Sequence, residues 1–226
     1  MPVLIPTASP SPWPVLGATP ADAIALVVID LQRDFCDEAG WFGSLGFDLS
    51  DCQRAVEAVR PVLVSARSAG MHVVLTRQGN SADLLDLPAP RREQGRRHGK
   101  PIGEAGPLGR ALIRGEDGWE LLPGLEAEDD LRIDKPGFSC FAGTDLHAQL
   151  QARGVRALVF CGVTANVCVL STLYAAVDLG YDCLTLADGV GAASESLRSS
   201  VLDLVRYQGG LFGCVATCGD LLATLG

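Results

Sequence analysis

Three residues of this 226-residue chain join a reactive type to a place where an α/β sheet presents its chemistry. Asp30 closes the apolar run Ile24 to Ile29, Lys135 follows Leu131 to Asp134, and Cys168 stands just past Ala157 to Val163. A carboxylate, an ammonium and a thiol brought together form a nucleophilic set. The carboxylate can take the thiol proton and carry it to a leaving nitrogen, while the ammonium holds the carboxylate. Taken singly, each has an ordinary reading as a turn cap, a solvated base or a core thiol. Lysine is the informative member, because the chain has only two, Lys100 and Lys135, against sixteen arginines. A compact ammonium can sit beside both a carboxylate and a thiolate and can exchange a proton, which a guanidinium cannot. Lys135 and the N-terminus of a helix expected near Ala165 both favour thiolate over thiol at Cys168.

The stretch Gly162-Val163-Thr164-Ala165-Asn166-Val167-Cys168 reads as a strand-to-helix turn. Backbone N–H groups at such a turn can hold the oxygen of a tetrahedral intermediate, at about 3 kcal/mol per donor. Thr164 or Asn166 can equally be a helix cap, and the two readings are compatible.

The elements that must position these residues are short aliphatic runs, each followed by a helical pattern. The strands are expected at Ile24 to Ile29, His72 to Thr76, Leu131 to Asp134, Ala157 to Val163, Cys183 to Ala187 and Leu211 to Ala216. Runs with little alternation are buried on both faces, and intervening helices imply parallel pairing. The fold class is therefore α/β, a Rossmann-like, doubly wound, mostly parallel six-stranded sheet with helices on both faces. Helices are expected at Ser50 to Ala69, Thr144 to Arg153, Ala165 to Leu179 and Ser194 to Tyr207, with a shorter one near Gly106 to Ile113. Gly70, Gly154 and Gly180 stand where helix C-caps belong. In such a sheet, ligands bind outside the carboxyl ends of the strands.

One domain over residues 1–226 accommodates these elements, with a Pro-rich extension over 1–20 and a long excursion over 78–118. Trp13 and Leu16 suggest that the extension packs along the surface or against a neighbouring subunit. The excursion, which contains Arg91-Arg92-Glu93-Gln94-Gly95-Arg96-Arg97, reads either as a solvated loop or as a lid or subunit contact near the site.

The formal charge of −9 would repel a nucleic-acid backbone over most of the surface. No base precedes Arg33, so the charged start of a secretory signal is missing and the chain reads as cytoplasmic. Ala157 to Val177 carries no formal charge, but Gly162, Thr164, Asn166, Ser171 and Thr172 argue for a buried strand and helix rather than a membrane span. The eight cysteines include no C-x-x-C pair, and Cys161, Cys183 and Cys214 read as small core residues.

The runs Ala25 to Phe35, Asp134-Lys135-Pro136-Gly137 and Gly162 to Cys168, in this order and spacing, resemble the isochorismatase-like cysteine hydrolases. The resemblance implies a catalytic triad of Asp30, Lys135 and Cys168, a cis peptide bond between Val163 and Thr164, and an oxyanion hole formed by the N–H groups of Thr164 and Cys168. It also suggests a homo-oligomer, a dimer or tetramer. Family members acting on isochorismate lack the cysteine, so Cys168 points to attack on a carbonyl carbon. Nicotinamidases of the family hold a metal through histidines after the first strand. Phe35 to Ser50 has none, and His72, His98 and His147 are scattered, so no metal or other cofactor is expected.

Pro12-Trp13-Pro14, Gly103 to Gly118, Thr144-Asp145-Leu146 and Gln208-Gly209-Gly210 are most similar to the biuret hydrolase branch. By that resemblance Gln208 binds substrate; as an ordinary residue it ends a helix. The branch has a lysine where this chain has Phe138, and tends to have an acid where Asn166 stands. Phe138 offers an apolar wall instead of a donor, which with Phe35 and Trp41 suits an amide or ureide with a less polar tail. The expectation is a small-molecule amidohydrolase working through a cysteine acyl-enzyme, with Phe35, Trp41, Phe138, Asn166 and Gln208 around the substrate. A binding module that kept the fold, a nicotinamidase-like amidase and a redox sensor are the alternatives.

Overall fold

The computed structural model describes residues 1–226. Six strands form the main sheet: β1 (Ile24–Ile29), β2 (His72–Gln78), β3 (Leu131–Lys135), β4 (Ala157–Val163), β5 (Asp182–Gly191) and β6 (Cys214–Ala216). Their order is β6-β5-β4-β1-β2-β3, and every pairing is parallel. The chain moves outward from β1 through β2 to β3, then crosses back to place β4 on the other side of β1. This reversal opens a crevice beyond the carboxyl ends of β1 and β4.

β1 is wholly apolar and wholly buried because both of its faces are covered. Ile24, Leu26 and Val28 face α1 (Ser50–Ser68) and the C-terminal helix α6 (Cys218–Leu225). Ala25, Val27 and Ile29 face α3 (Leu146–Ala152), α4 (Leu170–Asp178) and α5 (Glu195–Gly210). The edge strand β3 alternates instead, with Ile133 and Lys135 turned inward and Arg132 and Asp134 exposed. That period of two carries Lys135 inward at the strand end. Gly70, Gly154 and Gly180 all have positive φ, as their capping positions require.

Several expectations change. The Pro-rich start is tied to the domain: Trp13 is fully buried in the core, Ser9 pairs with Val215 beside β6, and Leu16 is left exposed. The stretch Gly106 to Ile113 is not a helix, because Gly106 and Gly109 close a small antiparallel hairpin. Nor do Leu211 to Gly213 belong to the last strand, which starts at Cys214. The excursion contains a helix, α2 (Ala89–Arg97), which buries none of its side chains and so has no apolar period. Helix α6 had a readable signal, the Thr217 and Asp220 capping box. No helix is long and apolar enough to cross a membrane.

Candidate active site

The ends of β1, β2, β3 and β4 meet around Asp30. Thr76 on β2 is in register with Ile29, and Gln78, two residues on, pairs with Lys135 of β3. On the other side Ile29 faces Gly162, where a side chain would collide with the Ile29 backbone. Glycine there lets β4 approach closely before the chain turns toward Cys168. Asp30 itself has φ of 52°, a left-handed conformation that aspartate tolerates better than most residues. Its N–H donates to the Thr76 carbonyl at 3.2 Å.

Both Asp30 oxygens are engaged. Oδ2 accepts from Lys135 Nζ at 2.7 Å and Oδ1 accepts from Thr76 Oγ1 at 2.6 Å. Lys135 Nζ also donates to the Gly137 carbonyl at 3.1 Å. Neither side chain of the ion pair is exposed. Burial alone would lower the lysine pKa, but the Asp30 carboxylate beside it more than compensates and the ammonium is held well above its ordinary value. A carboxylate has further lone pairs, so Asp30 keeps acceptor capacity for a third proton.

Cys168 lies in a π-helical turn, Ala165–Val169, that leads into α4. Such turns are often found at functional sites. Its thiol donates to Gln78 Oε1 at 3.4 Å, and its carbonyl accepts from Thr172 Oγ1 at 2.7 Å. The thiolate expected from charge alone is opposed by burial. Burial pushes the Cys168 thiol well above its ordinary pKa, outweighing the opposing pull of Lys135, and the nearby Asp30 carboxylate adds to the rise. The sulfur therefore faces a carboxylate that can take its proton.

Thr164 and Asn166 make no side-chain cap, so that reading of the turn fails. The Val163–Thr164 peptide bond is cis. The Thr164 carbonyl accepts from the N–H groups of Val167 and Val169, whereas the Thr164 N–H has no acceptor in the protein. Thr164, Val167 and Cys168 lie at one wall of a cavity of about 540 Å³.

Phe35, Trp41 and Phe138 line this cavity, together with Phe42 and Leu112. Asp34 sets part of that wall: its two oxygens accept from the N–H groups of Trp41 at 3.1 Å and Leu112 at 2.8 Å. Asn166 is on the same turn as Cys168 but outside the lining, with its Oδ1 buried and unpartnered. Gln208 is outside it as well. It is exposed at the kink ending α5, with φ 49° and ψ 44°. Helix α5 returns the chain from the end of β5 to the start of β6, which puts Gln208 at the opposite edge of the sheet from Cys168. The amide that reaches the thiol is Gln78, which the sequence presents only as the continuation of a strand. Its NH2 group has no partner in the protein and faces the cavity residues.

The excursion supplies the remaining wall. Arg91, Gln94, His98 and Lys100 all reach the cavity, so its reading as a solvated loop is replaced by a cover over the site. The Phe138 ring is not a bare apolar wall, since the Arg91 guanidinium lies over it at 4.2 Å. The histidines are separate: His72 begins β2, His98 is at the cavity rim, and His147 bonds Tyr181 at 2.9 Å.

Residues 24–217 match the isochorismatase domain. The ureidoacrylate amidohydrolase RutB of Caulobacter segnis is 32% identical, over 99% of this chain and 92% of that protein. Its counterpart in Variovorax paradoxus is also 32% identical, over 88% and 79%. A cysteine hydrolase from Pseudomonas syringae pv. phaseolicola superposes with a TM-score of 0.77 at 24% identity, covering 91% of this chain and 93% of its own. A nicotinamidase/pyrazinamidase from Bacillus subtilis shares the fold with a TM-score of 0.68 at 22% identity, over 85% and 98%.

Proposed function

The chain belongs to the isochorismatase family as a cysteine hydrolase of amide C–N bonds, and we propose that it cleaves small ureides or carbamoyl compounds through an acyl-enzyme on Cys168. The observation that carries this reading is the Asp30–Lys135 pair facing a buried thiol at the floor of a cavity.

Substrate enters with its carbonyl toward the Thr164–Cys168 turn. Asp30 takes the Cys168 proton as the sulfur attacks the carbonyl carbon, so thiolate forms only during attack. The carbonyl oxygen becomes an oxyanion held by the N–H groups of Thr164 and Cys168. Collapse breaks the C–N bond, and Asp30 delivers the same proton to the departing nitrogen. Water, deprotonated by Asp30, then attacks the thioester carbon; its collapse releases the acid and returns a proton to sulfur. Lys135 keeps Asp30 in place and stabilises its charge throughout. The free NH2 of Gln78 gives a ureide carbonyl a donor close to the reacting sulfur.

The named relatives are ureidoacrylate amidohydrolases, which supports ureides in general as the substrate class. The test is ammonia release from ureidoacrylate, biuret and N-carbamoylsarcosine by the native chain and by Cys168→Ala. Release from at least one, abolished in the variant, is expected. Equal release by both would refute the reading.

A further inference from the structure

The molecule carries a formal charge of −9, yet no aspartate or glutamate lines the cavity over Cys168. The nearest carboxylate, Asp30, is buried behind the thiol and already neutralised by Lys135. The cavity wall instead presents Arg91 and Lys100, the latter being the only other lysine of the chain. Cations without counter-charges in a cleft of an acidic protein focus a positive potential there.

Arg91 is the only arginine of the excursion that lines the cavity; Arg92 and Arg110 also lack a carboxylate partner, but they donate to the backbone carbonyls of Leu84, Gly103 and Ala82 and are not part of its wall. Arg96 and Arg97 are both spent on Glu93, at 2.9 and 2.7 Å, and Arg114 on Asp86 at 2.7 Å. Arg91 has no carboxylate within ion-pair distance. Its guanidinium is held by one bond, from Nη1 to the Pro136 carbonyl at 3.0 Å, and by the Phe138 ring 4.2 Å away. Pro136 and Phe138 lie one and three residues after the Lys135 that pairs with Asp30, so the guanidinium is fixed relative to the reacting centre. An arginine has five donors, and most of these remain open toward the cavity.

We propose that Arg91 is the specificity-determining residue of this site and binds a carboxylate at the end of the ureide remote from the scissile bond. A planar guanidinium matches a carboxylate with two parallel hydrogen bonds. Phe138 is then the seat of the cation rather than a wall for an apolar tail. This inference rests on the ureide reading and narrows it to ureido acids.

The test compares 3-ureidopropionate with its neutral amide, 3-ureidopropionamide, in the native chain, Arg91→Gln and Arg91→Lys. The acid is expected to be the better substrate of the native chain. Arg91→Gln should lose about 10- to 100-fold in kcat/KM on the acid, mainly through KM, and a much smaller factor on the amide. Arg91→Lys should recover part of the loss. Equal use of acid and amide by the native chain, or an equal loss on both in Arg91→Gln, would overturn the proposal while leaving the ureide reading intact. Calorimetric titration of both compounds into Cys168→Ala, with and without Arg91→Gln, covers the case in which neither is hydrolysed. Binding of the acid that Arg91→Gln abolishes would uphold the anion site against the ureidase reading; no binding of the acid would overturn the anion site.

Discussion

Lys135 Nζ donates to Asp30 Oδ2 at 2.7 Å with neither side chain exposed to water. The attraction offsets the cost of burying both charges only while both are present. Lys135→Met and Asp30→Asn should each destabilise the fold by about 3 to 5 kcal/mol, because each leaves or shifts an uncompensated buried group. The double variant should regain much of that stability and no activity. Denaturant melts of the four proteins check this, and additive losses in the double variant would contradict it.

Thiol chemistry follows from the same pair. Burial outweighs Lys135 at Cys168 and pushes the thiol above its ordinary pKa. Alkylation of Cys168 by iodoacetamide, followed by mass spectrometry, should be slow at neutral pH and still climbing through about 8.5, where an ordinary thiol is half ionised. A rate plateau reached below that pH would show a thiolate instead.

Alkaline conditions should loosen the whole molecule. Burial raises the pKa of Cys161, Cys183 and Cys218 as well as Cys168, and pushes Cys52 up to about 12 and Cys140 to about 11. Between the unfolded thiol pKa of about 8.5 and these raised folded values, the unfolded chain holds fewer protons than the folded one. Stability is therefore complete below that range and falls as pH rises through it, by up to about 1.4 kcal/mol per pH unit for each such thiol. Urea midpoints between pH 7 and pH 11 measure this; a flat profile would contradict it.

Asp34 ties two cavity walls together through the N–H groups of Trp41 and Leu112. Asp34→Ala leaves both donors without their acceptor, at about 1 to 3 kcal/mol for each that stays buried. It should raise KM more than it lowers kcat, since neither wall touches the thiol proton. A pure loss of kcat would place Asp34 in the chemistry itself.

The meeting of Asp30, Lys135 and Cys168 was legible in the sequence because strand ends are: apolar runs show where the three residues leave the sheet. Glycine caps and the parallel class were legible for the same reason. Gln78 was not, since it looks like one more strand residue and only the register with Lys135 brings it to Cys168. Arg91 was hidden in a segment whose helix buries nothing and so has no period. Gln208 misled in the other direction. Its motif resembled a binding residue, but the direction of α5 puts it across the sheet from the site. The upward push of burial on the Cys168 thiol was not legible, because charge is readable from residue types and burial is not.

The most direct measurement is intact-protein mass spectrometry after rapid acid quench of the native chain turning over a ureide it hydrolyses. A transient mass increase equal to the acyl group, mapped to Cys168 by peptide digestion, is predicted, and it should decay at the rate of turnover. Turnover without any covalent species on Cys168, or undiminished turnover in Cys168→Ala, would contradict catalysis through this thiol.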